Sequence, residues 1–371
     1  MIKIMNIVLI GPHYPYRGGI SDTNQELSKS LVRKGHKVEL INFKLLYPKL
    51  LFPGKTQYEK NIKSDKSLKL LSSINPLSWL STINYIRKQK PDLIITSYWT
   101  GFLSPCYFTL NSILNSKIKK IGIIHNCVSH EKKIFEKFFL KIYLSSLNKF
   151  FTLSRNVYQQ IKNNFKVEGF NLFHPTPSKF GEKVSRNEAL KKLNLDRNNK
   201  YILFFGLIRD YKGVDMLIKA MPALVKKNPT LKLLVVGENY VSNDKYLNLI
   251  NDLKLSNHII LINKFIQTEM VKYWFSVPEY VILPYQSASQ SGIIPLSYHF
   301  DLPVICSNIN GLKESVKDGV NGFLFNRNKK NIFEKIHYGL NFDKSILIKN
   351  ITKKKNKLSW DSFVEKLLTN I

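Results

Sequence analysis

Two cations three residues apart mark the segment FFGLIRDYKGVDMLI, residues 204–218. An apolar run ends at Gly206, Arg209 and Lys212 follow, and Gly213 opens a run with helical spacing. Cations at a strand's carboxyl end, beside a helix start, suit a phosphate or pyrophosphate; arginine offers a planar fork and lysine a point charge. In a basic chain the same two residues can also be solvated loop cations. A second stretch, SASQSGIIPLSYHF (287–300), lies in a span with no Lys, Arg, Asp or Glu between Glu279 and Asp301. YVILPY reads as a strand, QSASQSG as a loop, and Pro295 fits a first helical turn. Amides near Ser291 and Gly292 could hold an anion without side-chain charge, or a serine could simply cap the helix. In PHYPYRGGISD (12–22), Gly18 and Gly19 would let the backbone come close to a ligand, or form only a turn. No GxGxxG is present, so a nicotinamide cofactor is not indicated.

The elements that would position these residues alternate. NIVLIG (6–11) reads as a buried strand, 21–34 as a helix and KVELINF (37–43) as the next strand. PDLIITS (91–97), KKIGIIH (119–125) and KFFTLS (149–154) continue the series. A second series runs through YILFFG (201–206), LKLLVVG (231–237), HIILIN (258–263), YVILPY (280–285) and PVICSN (303–308), with helical stretches between. The expected fold is α/β, two doubly wound Rossmann-like domains facing across a cleft. Their expected spans are 1–170 and 171–350, with a helix in 351–371 packing back on the first. The segment 44–71, with seven lysines among Pro, Gly and aromatics, reads as irregular.

Composition narrows the partners. A chain of 371 residues with 57 Lys+Arg against 26 Asp+Glu suits an anionic partner: nucleic acid, an anionic membrane face or a phosphorylated small molecule. Genomic bias toward Lys, Ile and Asn would give the same excess. Three scattered cysteines, Cys106, Cys127 and Cys306, with no CxxC, argue against a disulfide framework or structural zinc and fit a reducing cytoplasm. No run approaches the roughly 18 apolar residues of a spanning helix.

Taken in register, five blocks resemble the retaining glycosyltransferases of the large group 1 family, family 4, with the two-domain GT-B fold. They are PxxPxRGGI, FFGxIRxYKGxD, LVVGE, VILPY and GLKESVKDGVNGFLF (311–325). The resemblance implies a nucleotide diphosphate sugar as donor substrate, held by the C-terminal domain, no cofactor, and a saccharide or lipid-linked saccharide acceptor on the N-terminal side. It implies that Arg209 and Lys212 contact the diphosphate, with Gly206, Glu238, Gln290 and the amides of Ser291, Gly292 and Ile293 on the donor. Gly18 and Gly19 would let the N-terminal domain approach it, and His125 takes the place of a histidine near the reacting sugar. His125, His130 and Glu131 could suggest a metal site, but the family's chemistry is metal-independent and no DxD is present. Two glutamates separated by seven residues are usual in the family; aligning on Gly292 places Ser289 and Ser297 there. A carboxylate bonding a ribose hydroxyl contributes about 1.5–3 kcal/mol and a serine about 1. Transfer with retention survives that loss if the leaving diphosphate takes the acceptor's proton and the protein chiefly stabilises its charge.

IFEKFFLKIYLSSLNKFF (134–151) sets Ile134, Phe135, Phe138, Phe139 and Ile142 at helical spacing, with Lys132, Lys133, Lys137 and Lys141 near the other face. Such a stripe is either core or an interfacial helix on an anionic membrane. With the net charge and the lysine-rich 44–71 segment, it leads to the expectation of a cytoplasmic, peripheral enzyme of surface polysaccharide or lipopolysaccharide synthesis. A nucleotide-sugar-binding partner subunit without transfer activity is the alternative. Nucleic acid is not an expected partner, because no recognised motif for it is present.

Overall fold

The computed structural model describes residues 3–48, 56–59, 66–127, 135–240 and 243–371. The chain divides into two compact units, Met1–Pro175 with Ser359–Ile371, and Thr176–Leu358.

Unit 1 is built on β1 (Asn6–Ile10), α1 (Gly19–Arg33), β2 (Lys37–Leu45), β3 (Leu68–Ser72), α2 (Pro76–Gln89), β4 (Leu93–Tyr98), α3 (Ser104–Ile113), β5 (Lys119–Ile124), α4 (Glu136–Ser145), β6 (Lys149–Thr152), α5 (Arg155–Lys162) and β7 (Gly169–Asn171). Its seven strands are parallel, in the order β3-β2-β1-β4-β5-β6-β7. Strands covered on both faces need continuous apolar runs, which NIVLI and LIITSY supply. Val8, Ile10 and Ile94 pack with α2–α5 on one face; Ile7, Leu9 and Ile95 point to the other. Helix starts follow local chemistry. Asn75 accepts from Leu77 N with Pro76 in the first turn, and Ser154 accepts from Val157 N.

Unit 2 comprises α6 (Arg186–Leu193), β8 (Lys200–Phe205), α7 (Val214–Lys227), β9 (Leu231–Val236), α8 (Asn243–Asp252), β10 (Ile259–Ile262), α9 (Thr268–Ser276), β11 (Tyr280–Leu283), α10 (Ile293–His299), β12 (Val304–Ser307), α11 (Asn310–Lys313), β13 (Gly322–Phe325), α12 (Lys329–Leu340) and α13 (Lys344–Asn356). Its parallel sheet runs β10-β9-β8-β11-β12-β13. The chain works outward from β8 to β10, then returns to β11 on the other side of β8. Loops leaving β8 and β11 therefore diverge at this switch point, where doubly wound sheets bind ligands. In unit 1 the switch point lies between β1 and β4. A last helix, α14 (Trp360–Thr369), returns to unit 1, burying Trp360, Phe363, Val364 and Leu367. Asp361 Oδ1 accepts from Ser30 Oγ at 2.6 Å and Arg33 Nη2 at 2.7 Å on α1.

Three expectations change. Residues 44–71 are not wholly irregular: β2 runs to Leu45, and β3 is an edge strand whose register with β2 breaks at Asn42/Phe43 and Phe43/Leu45. Residues 49–55 and 60–65 lie outside the described residues. The segment 351–371 is not one helix on unit 1. Its first residues finish α13 in unit 2, and the chain breaks before Ser359, whose hydroxyl caps α14 by accepting from Ser362 N. In α4 the inward stripe is Glu136, Leu140, Tyr143 and Leu144, while Phe135 and Phe138 are exposed. Ile134, with Lys132 and Lys133, lies outside the described residues.

Candidate functional site

At the switch point of unit 2, the turn after β8 carries both candidate cations. Gly206 has φ +112°, and a Cβ there would lie 3.5 Å from both Lys212 Nζ and Ile293 Cδ1. Residues after β8 and the first residue of α10 thus meet over one glycine. Gly213 fixes the other end of the turn. Its φ is +67°, and a Cβ would stand 2.1 Å from Pro284 O, so only glycine lets this turn close against the end of β11. Between them, Asp210–Lys212 form a single 3-10 turn, with Lys212 N donating to Arg209 O.

The two cations rest on aromatic faces. Arg209 lies 5.2 Å from the centroid of Tyr240, and Lys212 lies 5.3 Å from that of Tyr285. Asp210, the acid between them in sequence, pairs instead with Lys245. Among the described residues Lys212 has no carboxylate partner. Burial of its ammonium, and then repulsion by Arg209, push its pKa down to about 8. A desolvated ammonium beside a guanidinium, with no carboxylate partner of its own among the described residues, suits an anion.

The loop after β11 flanks this pair. Gln290 is half-buried and its Oε1 is a buried acceptor without a hydrogen-bond partner. Ser289 is nearly buried, packed against Gly311, where a Cβ would stand 2.1 Å from Ala288 O. Ser291 behaves as a cap: its hydroxyl accepts from Ile293 N at 3.3 Å, and its carbonyl accepts from Ile294 N at 3.4 Å. The amide of Ile293 is therefore occupied within the loop, while Gly292 is exposed at the helix start. Ser297 is not at the surface of the site. It is fully buried in α10, and its hydroxyl donates to Leu302 O at 2.7 Å. Glu238 follows β9, half-buried; its carbonyl accepts from Ile208 N, and Tyr240 Oη lies 3.5 Å from its carboxylate.

In unit 1, Gly18 and Gly19 stand exposed at the start of α1, after β1, and a Cβ on either would meet nothing within 4 Å. His125 follows β5, nearly buried, with its amide donating to Tyr98 O at 2.8 Å. Its Nε2 has no hydrogen-bond partner, and burial, then the neighbouring His174, lowers its pKa to about 3. The imidazole is therefore neutral near pH 7, able to offer a hydrogen bond but a poor base. Among the described residues no cluster of three His, Cys, Asp or Glu could hold a metal ion; His130 and Glu131 lie outside them. Cys106, Cys127 and Cys306 are free and buried. No helix among the described residues is long and apolar enough to cross a membrane.

The structure thus gathers Gly206, Arg209, Lys212 and Ile293 in unit 2, with Gln290 in the loop that leads to Ile293, and buries Ser297 within α10. Tyr240 and Tyr285 were not singled out from sequence. The available signal was their place, one after LVVGE and one closing VILPY, each at a strand's carboxyl end beside a cation-bearing loop.

Residues 185–354, within unit 2, match the family described as Glycosyl transferases group 1. An uncharacterized glycosyltransferase of Methanocaldococcus jannaschii is 24% identical over 350 residues, covering 86% of this chain and 84% of that one. The D-inositol 3-phosphate glycosyltransferase of Frankia alni is 30% identical over 145 residues, covering 37% of this chain and 35% of that protein. The Anabaena protein HepE in complex with UDP and glucose superposes with a TM-score of 0.75 at 15% identity, covering 99% of this chain and 100% of that one. At such identity the likeness shows the fold, two Rossmann-like units of the GT-B type.

Proposed function

We propose that the chain transfers a sugar from a nucleotide diphosphate sugar to a saccharide or lipid-linked saccharide acceptor, with retention and without a metal. The supporting observation is Lys212, a buried cation with no carboxylate partner among the described residues, beside Arg209 at the switch point of a unit whose residues 185–354 match the group 1 family. In this reading the bond between the anomeric carbon and the diphosphate oxygen breaks, and the acceptor oxygen bonds that carbon on the same face. The acceptor's proton passes to the departing diphosphate. Arg209 and Lys212 stabilise the charge that grows there. Gln290 Oε1 accepts from a donor hydroxyl, and Glu238 and Ser289 border the donor; in unit 1, Gly18 and Gly19 leave the backbone open to a ligand. In unit 1, neutral His125 offers a hydrogen bond to a bound saccharide and carries no added proton near pH 7. The enzyme works at the inner face of an anionic membrane in surface polysaccharide synthesis.

One observation favours a second reading, a nucleotide-sugar-binding partner subunit. Where the family carries two glutamates this chain has serines, and the Ser297 hydroxyl is committed to Leu302 O. Incubating the purified chain with a panel of nucleotide diphosphate sugars and acceptors separates the two. Release of nucleotide diphosphate that is lost in Arg209→Met and Lys212→Met supports transfer. Turnover indifferent to both substitutions refutes the assignment of the cations. Binding without turnover of any donor leaves the partner subunit.

A further inference from the structure

The two helical layers of unit 1 differ in charge. Helices α2, α3, α4 and α5 carry six exposed cations, Arg87, Lys88, Lys137, Lys141, Arg155 and Lys162, against one carboxylate, Glu136, which is buried. The opposite layer, α1 and α14, carries three cations and four carboxylates. The α1/α14 layer is thus nearly balanced, and the residues of the four helices α2–α5 include no exposed acid.

The four-helix face also leaves large apolar side chains uncovered at one end. Helices that connect parallel strands start at the carboxyl edge of the sheet. Leu77 (75% exposed) and Leu80 stand in the first turns of α2, Phe108 in the second turn of α3, and Phe135 (67%) and Phe138 (59%) at the start of α4. A single exposed apolar residue is ordinary, but five at the same end of one layer, on three neighbouring helices, form a patch. On α4, Lys137 and Lys141 are exposed beside the phenylalanines.

We propose that this end of the four-helix layer docks on an anionic lipid bilayer. Phe135 and Phe138 enter the headgroup region, and the lysines of α4 meet lipid phosphates. Charge selects this occupant: a chain of formal net charge +31 repels a second copy of itself, whereas an anionic bilayer attracts it. The purpose of docking, bringing unit 1 to a lipid-linked acceptor, rests on the transferase reading; the docking itself does not.

The test is flotation of the full chain with phosphatidylglycerol vesicles and with phosphatidylcholine vesicles, at low and high salt. The expected result is binding to phosphatidylglycerol at low salt, weakened by salt and absent on phosphatidylcholine. Phe135→Ser with Phe138→Ser should lower vesicle affinity at least about tenfold. The same variant should keep the thermal shift produced by a nucleotide diphosphate, which shows that it folds. Lys137→Gln with Lys141→Gln should weaken binding and flatten its salt dependence. Absence of binding to phosphatidylglycerol at low salt overturns the proposal, as does binding unchanged by the phenylalanine substitutions. A fall in native mass from dimer to monomer in the phenylalanine variant also overturns it, because the patch would then join two copies. If vesicles bind but no nucleotide diphosphate does, the transferase reading fails and the docking surface stands.

Discussion

Replacing Lys212 with methionine should stabilise the ligand-free chain while removing most of its affinity for a diphosphate. The pKa of Lys212 is lowered from 10.5 to about 8. The folded chain therefore holds this proton less tightly than the unfolded one. The residue's contribution to stability is full above 10.5 and is lost as pH falls through about 8, so at neutral pH the protonated side chain is a cost. At about 1.4 kcal/mol per factor of ten in proton affinity, that cost approaches about 3 kcal/mol. The side chain is half-buried, and solvent at its rim reduces the figure to about 1–2 kcal/mol. Methionine keeps the length and removes the charge, so urea unfolding at neutral pH should show a gain of about 1–2 kcal/mol. Calorimetry with a nucleotide diphosphate sugar should show the opposite sign. A lost charge-assisted bond of about 1.5–3 kcal/mol lowers affinity about ten- to a hundredfold. A ligand-free variant less stable than the parent, or donor affinity that does not change, would refute the reasoning. The first outcome would mean that Lys212 has a structural anionic partner; the second would mean that the diphosphate lies elsewhere.

Donor affinity should fall about tenfold between about pH 7 and about pH 9, because Lys212 deprotonates near 8 while a sugar diphosphate does not titrate there. Calorimetry in buffers of different ionisation enthalpy should then report uptake approaching one proton, and Lys212→Met should abolish both effects. Tyr240→Leu should weaken donor binding about two- to fivefold by removing the ring under Arg209, an interaction worth about 0.5–1 kcal/mol, whereas Tyr240→Phe, which keeps the ring and loses only the hydroxyl near Glu238, should weaken it less. Gly213→Ala should cost more than about 2 kcal/mol in urea unfolding, since its Cβ would meet Pro284 O at a φ that L side chains rarely adopt.

The periodic parts of the fold were legible in sequence for a physical reason. Strands buried on both faces must be continuous apolar runs, and NIVLI, LIITSY, LKLLVV and YVIL have no other stable place. β3 and β7 were not legible. Each lies at an edge of its sheet, is short, and owes its conformation to a neighbour already in place, β2 for LKLLS and β6 for GFN. The same distinction applies to α4. Helical spacing was plain, but which stripe faces inward depends on what the adjoining strands offer, and they take Leu140, Tyr143 and Leu144 rather than the phenylalanines.

Residues of the candidate site divide along the same line. Arg209, Lys212 and Gly213 could be found because a turn between a strand and a helix constrains few residues, and each leaves a local mark. Ser297 could not be judged locally. Its hydroxyl has a partner five residues on, Leu302 O, which only the path of the chain after α10 brings within reach. The tyrosines answer what an uncharged loop does in so basic a chain. An acid between residues 280 and 300 could neutralise Lys212 in the ligand-free state, and a diphosphate would then have to displace it. A tyrosine face holds a cation at about 0.5–1 kcal/mol, far less than a buried ion pair, and so positions it while leaving its charge available. Weak retention is the useful property, and it predicts that introducing a carboxylate at Ser291 should stabilise the ligand-free chain and lower its affinity for the donor together.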